Sequence, residues 1–194
     1  MMKNLSHINR SGDATMVDVT QKPIVLREAV AAGEICLERA TLDLIQQDGI
    51  PKGNVFATAR LAGIQAAKRT GDLIPLCHPL PITHCEVRFH IPASRDRVRI
   101  EATSRIAAQT GVEMEALTAV ALAALTIYDM CKAVDKSMKI GEIRLLRKTK
   151  SAWNPSPDGG QKTPPRRVSR HPKTKKNFRI TVDQGSKFAK PAPR

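Results

Sequence analysis

Between Gly111 and Met138 the chain reads GVEMEALTAVALAALTIYDMCKAVDKSM, and within it Ala116 to Ile127 carries no charged residue on any side. A helix that is apolar all round has to be covered all round, because every exposed turn holds nonpolar surface in water. The run therefore predicts a helix buried by the chain's own sheet and by another subunit. Its charges gather at the two ends, with Glu113 and Glu115 at the front and Asp129, Lys132, Asp135 and Lys136 near the close.

Glu115 and Asp129 stand 14 positions apart. That is about 1400° of helical rotation, roughly 40° short of four turns, so the two share a face. Lys132 and Lys136 follow Asp129 by three and seven positions on the same stripe. Neighbours so placed set each other's protonation. Two readings stay open at this level: a surface i,i+3 ion pair of small worth, or a functional cluster.

The flanking sequence supplies the other elements. Met16 to Lys22 (MVDVTQK) alternates as a short strand does. Ile24 to Ala32 reads as a brief helix ended by Gly33, before a strand around Ile35 and Leu37 and a helix from Thr41 to Gln47 stopped by Asp48-Gly49. Pro51-Lys52-Gly53 leads into a helix over Asn54 to Arg69. Free backbone N–H groups at that helix start suit a phosphate, and a Gly turn with a solvated lysine explains the same residues.

Three prolines in LIPLCHPLP (Pro75, Pro79, Pro81) make a rigid loop that presents His78 from a stiff backbone, as a site ligand or as a histidine satisfied by hydrogen bonds. Ile82 to Ile91 and the run around Val98, Ile100 and Ala102 alternate as two strands of a hairpin. That alternation sends His84 and Cys85 to opposite faces, which argues against a zinc site, and no metal ligands are expected. Thr110 and Glu113 have capping-box spacing, and Ile140 to Leu146 reads as a final strand.

At 194 residues the chain suits one domain with an appendage. The reading is an arm over 1–15, a body over 16–148 and a basic, disordered tail over 149–194. From Ser151 onward eleven Lys and Arg face only Asp158 and Asp183, a net +9, which leaves +5 of the total +14 for the body. A mildly basic body fits a polyphosphate ligand. In the tail, Trp153, Phe178 and Phe188 are too scattered for a nucleic-acid stacking platform, so no specific nucleic acid is expected. Four cysteines without a CxxC suggest reduced thiols in a cytoplasm. The uncharged run Ala116 to Tyr128 is short of the roughly 20 residues a bilayer needs, so no membrane span is expected.

Lys52-Gly53 with VFATARLAGIQAAKRT, then DLIPLCHPL, TGVEMEALTAV and LTIYDMCKAVDKSM, closely resemble the molybdenum cofactor biosynthesis protein C family, the cyclic pyranopterin monophosphate synthases. The similarity runs from Ser6 to Lys148. It implies an α+β, ferredoxin-like antiparallel sheet packed by helices, with dimers assembled into a homohexamer (a trimer of dimers) and active sites at subunit boundaries. It also implies a lyase acting on a cyclised dihydro-GTP, with pyrophosphate as a product.

Position by position, the resemblance places catalytic roles on Asp129, Lys132 and Lys52. It places substrate binding on Leu76, Cys77, His78, Glu113, Met114 and Glu115. On that basis Asp129 is expected as a buried carboxylate coupled to Lys132 in an acid/base pair. Lys52 and His78 are expected on phosphate oxygens, and Glu113 or Glu115 on the guanine edge. No cofactor is required, although magnesium is compatible with a triphosphate. The family's short Gly-rich, Lys-containing end is replaced here by Lys148-Thr149-Lys150-Ser151 running into Ala152-Trp153. That departure keeps open an assembly or nucleic-acid-binding variant with impaired catalysis.

Overall fold

The longest apolar helix lies on a sheet, as its composition requires. The computed structural model describes residues 12–153 and 181–182. In chain order it holds β1 (Val25–Cys36), α1 (Arg39–Gln46), α2 (Val55–Lys68), α3 (Thr70–Leu73), β2 (His84–Ile91), β3 (Arg97–Ala108), α4 (Glu113–Cys131), β4 (Lys139–Ser151) and β5 (Thr181–Val182). The sheet order is β4-β1-β3-β2-β5, and the first four strands pair antiparallel. β5 joins β2 in parallel, with Thr181 opposite His90. The architecture is α+β.

Alternation along the strands decides which side is covered. Ala29, Ala31 and Ile35 of β1, Val98, Ile100 and Ala102 of β3, and Val87 and Phe89 of β2 are buried under the helices with Ala119, Val120, Ala123 and Ile127 of α4. The opposite face carries charge, where Glu28 accepts hydrogen bonds from Arg105 and Arg147. Small residues let α4 approach its neighbours closely. A Cβ on Gly33 of β1 would stand 2.7 Å from Val120 Cγ1, and one on Gly63 of α2 would stand 2.8 Å from the Ala119 carbonyl oxygen. Both glycines are needed for the separation, whatever their backbone angles.

Several expectations are corrected. Residues 25–32 are strand, because β1 pairs over its full length with β3 and also with β4, and a ladder on both edges outweighs a weak helical pattern. Gly33 is thus no helix stop. MVDVTQK forms no strand: its end is turned by Thr20 N–H donating to Asp18 Oδ1 (2.9 Å) and Lys22 N–H to the Val19 carbonyl (2.9 Å). Helix α4 starts at Glu113 behind Val112, with no side-chain cap, so the Thr110–Glu113 capping box does not form. It ends at Cys131 rather than near Met138. The chain then turns, held by Asp135, which is 2% exposed and accepts from Glu38 N–H (2.8 Å), Thr41 Oγ1 (3.2 Å) and both Ser137 N–H (2.8 Å) and Ser137 Oγ (2.7 Å).

Nor is α4 covered on every side by its own chain. Leu125 is 53% exposed and Met114 37%, and on α2 Leu61 is 70% exposed. The length argument against a membrane span also gives way, since α4 with its 19 residues is long and apolar enough by composition, yet more than half of it is buried within the fold. Strand β4 runs to Ser151, beyond the expected Leu146 and into the segment read as tail. The arm reading over 1–11 and the tail reading over 154–180 and 183–194 lie outside the described residues.

Candidate active site

The charged ends of α4 build two separate clusters. At its C-terminal end Asp129 Oδ1 accepts from Lys132 Nζ (2.8 Å), and Oδ2 accepts from Lys52 Nζ (2.8 Å). Lys52 also donates to the Asp129 carbonyl at 2.9 Å. Two ammoniums at this end complement the negative pole of the helix. Lys52 gets there from a tight turn: Gly53 has φ +97°, the left-handed conformation that favours glycine. Of the two readings left open for that helix start, the turn is favoured over a phosphate cradle, because Gly53 N–H donates to the Ile50 carbonyl (2.9 Å) and Ala57 N–H to Asn54 Oδ1 (2.8 Å).

Hydrogen bonds from Lys132 first and Lys52 second hold the Asp129 carboxyl down at about 2, and the same bond pushes Lys132 up. Asp129 and Lys132 are therefore both charged at neutral pH. Asp129 is not buried as expected. Its side chain is 55% exposed, because it sits at the rim where α4 ends rather than in the packed middle.

At the N-terminal end a cavity of about 420 Å³ gathers Leu76, Cys77 and His78 from the prolyl loop with Glu113, Met114 and Glu115 from the first turn of α4. All six expected substrate residues meet here. Gly71 lets the loop close in, since a Cβ on it would lie 2.9 Å from Pro79 Cα. Arg27 fixes the link from β3 to α4 by donating to the carbonyls of Ala108 (2.9 Å) and Gln109 (2.7 Å).

His78 Nε2 lies 2.9 Å from the Val17 carbonyl. A carbonyl oxygen only accepts, so that nitrogen carries the proton and Nδ1 is the ring atom left to face a ligand. Glu113 Oε1 accepts from Lys148 Nζ at 3.1 Å. Glu115, 3% exposed, has its carboxyl pushed up to about 7 by burial and then by the charge of Glu113. Burial likewise pushes the Cys77 thiol up, with Glu115 adding to the effect. A second cavity of about 310 Å³ adjoins the first through Leu80 and Glu115, with Lys68 and Arg69 in its wall.

The structure thus sorts the nine expected residues into two groups and does not bring them together. Glu115 and Asp129 are separated by about 21 Å along the helix axis. Within one subunit, a ligand in the cavity cannot reach the Lys52–Asp129–Lys132 cluster. Reading the sequence alone missed Arg27, whose role depends on strand register, and the pairing of Lys148 with Glu113, whose only local signal was a lysine closing the last apolar strand.

The MoaC family model matches residues 16–151. A cyclic pyranopterin monophosphate synthase of Parvibaculum lavamentivorans is 57% identical over 147 residues, covering 76% of this chain and 92% of that protein. Proteins of the same name from Roseiflexus sp. strain RS-1 and Chloroflexus aggregans are 57% and 58% identical, covering 76% and 74% of this chain and 94% and 87% of their own lengths.

Proposed function

The chain belongs to the MoaC family, and from that premise we infer a cyclic pyranopterin monophosphate synthase, a lyase of molybdenum cofactor biosynthesis. It converts (8S)-3',8-cyclo-7,8-dihydroguanosine 5'-triphosphate to cyclic pyranopterin monophosphate and pyrophosphate. The chemistry opens the imidazole portion of the purine, recondenses its atoms into a pterin ring, and lets a ribose hydroxyl attack the α-phosphate as pyrophosphate leaves. Each stage moves protons and the last develops negative charge.

We assign Asp129 and Lys132 as the coupled acid/base pair. Their proton affinities belong to the pair, and Asp129 stays anionic to hold both ammoniums in place. Lys52 is suited to the leaving pyrophosphate. The cavity takes the nucleotide, with His78 on a phosphate oxygen and Glu113 or Glu115 on the guanine edge. The observation that carries this reading is the convergence of Lys52, 77 positions away in sequence, and Lys132 on one carboxylate.

The order β1-α-β2-β3-α-β4 with the antiparallel arrangement β4-β1-β3-β2 supports a ferredoxin-like subunit. The exposed leucines Leu125 of α4 and Leu61 of α2 support assembly, and in a trimer of dimers with sites at subunit boundaries each cavity would be completed by a neighbour's lysine cluster. We take 16–151 as the catalytic body, since β4 runs to Ser151, with 1–15 an arm and 152–194 a basic tail, and the four free cysteines suit a cytoplasmic setting.

The test is direct. Purified protein incubated with the cyclised triphosphate should yield pyrophosphate and a product that becomes a fluorescent pterin on oxidation. Asp129→Asn and Lys132→Ala should abolish both while the oligomer persists. Near-normal turnover in both variants would sink the assigned roles.

A further inference from the structure

Asp135 is the most deeply buried carboxylate among the described residues, and its partners are all neutral donors. Oδ2 accepts from Glu38 N–H and Thr41 Oγ1, and Oδ1 accepts from Ser137 N–H and Ser137 Oγ. A charge taken out of water without a cation is costly unless its hydrogen bonds are complete. These bonds join two distant parts of the chain. Glu38 precedes α1 and offers that helix no side-chain cap, so Asp135 places its anion there from 97 positions away.

The turn that Asp135 closes is the one that carries Lys132. Lys132 N–H donates to the Tyr128 carbonyl (2.9 Å), while Val134 N–H (2.9 Å) and Asp135 N–H (3.0 Å) both donate to the Cys131 carbonyl. Lys132 thus lies in a closed loop of chain, with α4 fixing one end and the Asp135 carboxylate fixing the other. Its side chain is 55% exposed, so backbone placement, more than packing, decides where the amine stands when it reaches Asp129 Oδ1 at 2.8 Å. Lys52 reaches the same carboxylate from the separate turn at Gly53.

We propose that Asp135 is a positioning residue for the lyase reaction, pinning the turn over 131–135 to the start of α1 and so holding Lys132 in place against Asp129. This rests on the acid/base assignment of Asp129 and Lys132 given above. An amide cannot take over the task. Asn offers one acceptor oxygen, and its NH2 group then meets the backbone N–H of either Glu38 or Ser137, a donor against a donor. The turn loosens while the buried middle of α4 stays packed on the sheet.

Two readouts on Asp135→Asn decide it. In turnover of the cyclised triphosphate, kcat should fall about ten-fold or more with KM within about three-fold of the parent, because a reacting group is displaced while the cavity at the other end of α4 is left intact. The second readout needs no turnover. The hydrogen bond to Asp129 pushes the Lys132 amine up, so a Lys132 released from it is less protonated and is acylated faster. Under limiting acetic anhydride at neutral pH, peptide mass spectrometry should show Lys132 of Asp135→Asn reacting faster than in the parent and approaching its rate in Asp129→Asn. Lys148, paired with Glu113 at the far end of α4, should keep the parent's rate. Ser137→Ala removes a single donor from the same carboxylate and should move both readouts in the same direction by about two- to five-fold, which decides the matter if Asp135→Asn does not fold. A folded variant in which either readout stays at the parent's value overturns the proposal. A parent protein that makes no product defeats the synthase reading instead, and the acylation rates then decide Asp135 by themselves.

Discussion

Asp129 accepts from a different lysine on each oxygen, and that geometry keeps three charges fixed at the end of α4. An amide in its place keeps one acceptor and loses the charge. Asp129→Asn should therefore cost about two orders of magnitude or more in turnover with a melting temperature close to the parent's, because the group is exposed and bears on chemistry rather than packing. Acid affects this group only far from neutrality. Its folded pKa is lowered, so its contribution is present above the ordinary aspartate range and lost as pH falls towards about 2. Glu115 has the opposite sign. Its carboxyl is raised from 4.5 to about 7, so its contribution to stability is fully present below the ordinary glutamate range and is lost as pH rises through about 7. Denaturant midpoints at pH 5 and pH 8 should show the parent losing on the order of 2 kcal/mol that Glu115→Gln does not lose.

The elements show what could be read from residues alone. The apolar run Ala116 to Ile127 gave away α4, and strict alternation gave β2 and β3, because burial on one side writes itself into sequence as a period. β1 was not legible. VLREAVAAGEIC carries alanines and a charge spacing that suit a short helix, and only pairing on both edges makes it a central strand. Gly33 read as a helix stop, yet it and Gly63 are each a point of close approach to α4. Gly63→Ala should consequently destabilise by about 1–3 kcal/mol, visible as a lowered unfolding midpoint, because the obstacle is the Ala119 backbone oxygen and cannot rotate aside. The candidate site was legible as a set of residues through family resemblance. The division into two clusters was not, since 14 positions on one helical face describe a shared side and conceal the distance between its ends.

At the scale of the molecule, those two clusters and the open apolar face point the same way. Leu125 of α4 and Leu61 of α2 leave nonpolar surface exposed on the subunit, the kind of surface that the proposed assembly would cover. Leu125→Glu should place a charge in that contact and shift sedimentation towards smaller species that keep the parent's secondary structure. The cavity and the lysine cluster would then be joined only across chains. Mixed oligomers test this most directly. Asp129→Asn and His78→Ala, each inactive by itself, are co-expressed and the mixed species assayed on the cyclised triphosphate. A site shared between subunits predicts recovery to about a quarter of parental turnover, since half of randomly formed pairs are mixed and each mixed pair holds one intact site of two. Mixed oligomers no more active than their two parents would contradict it.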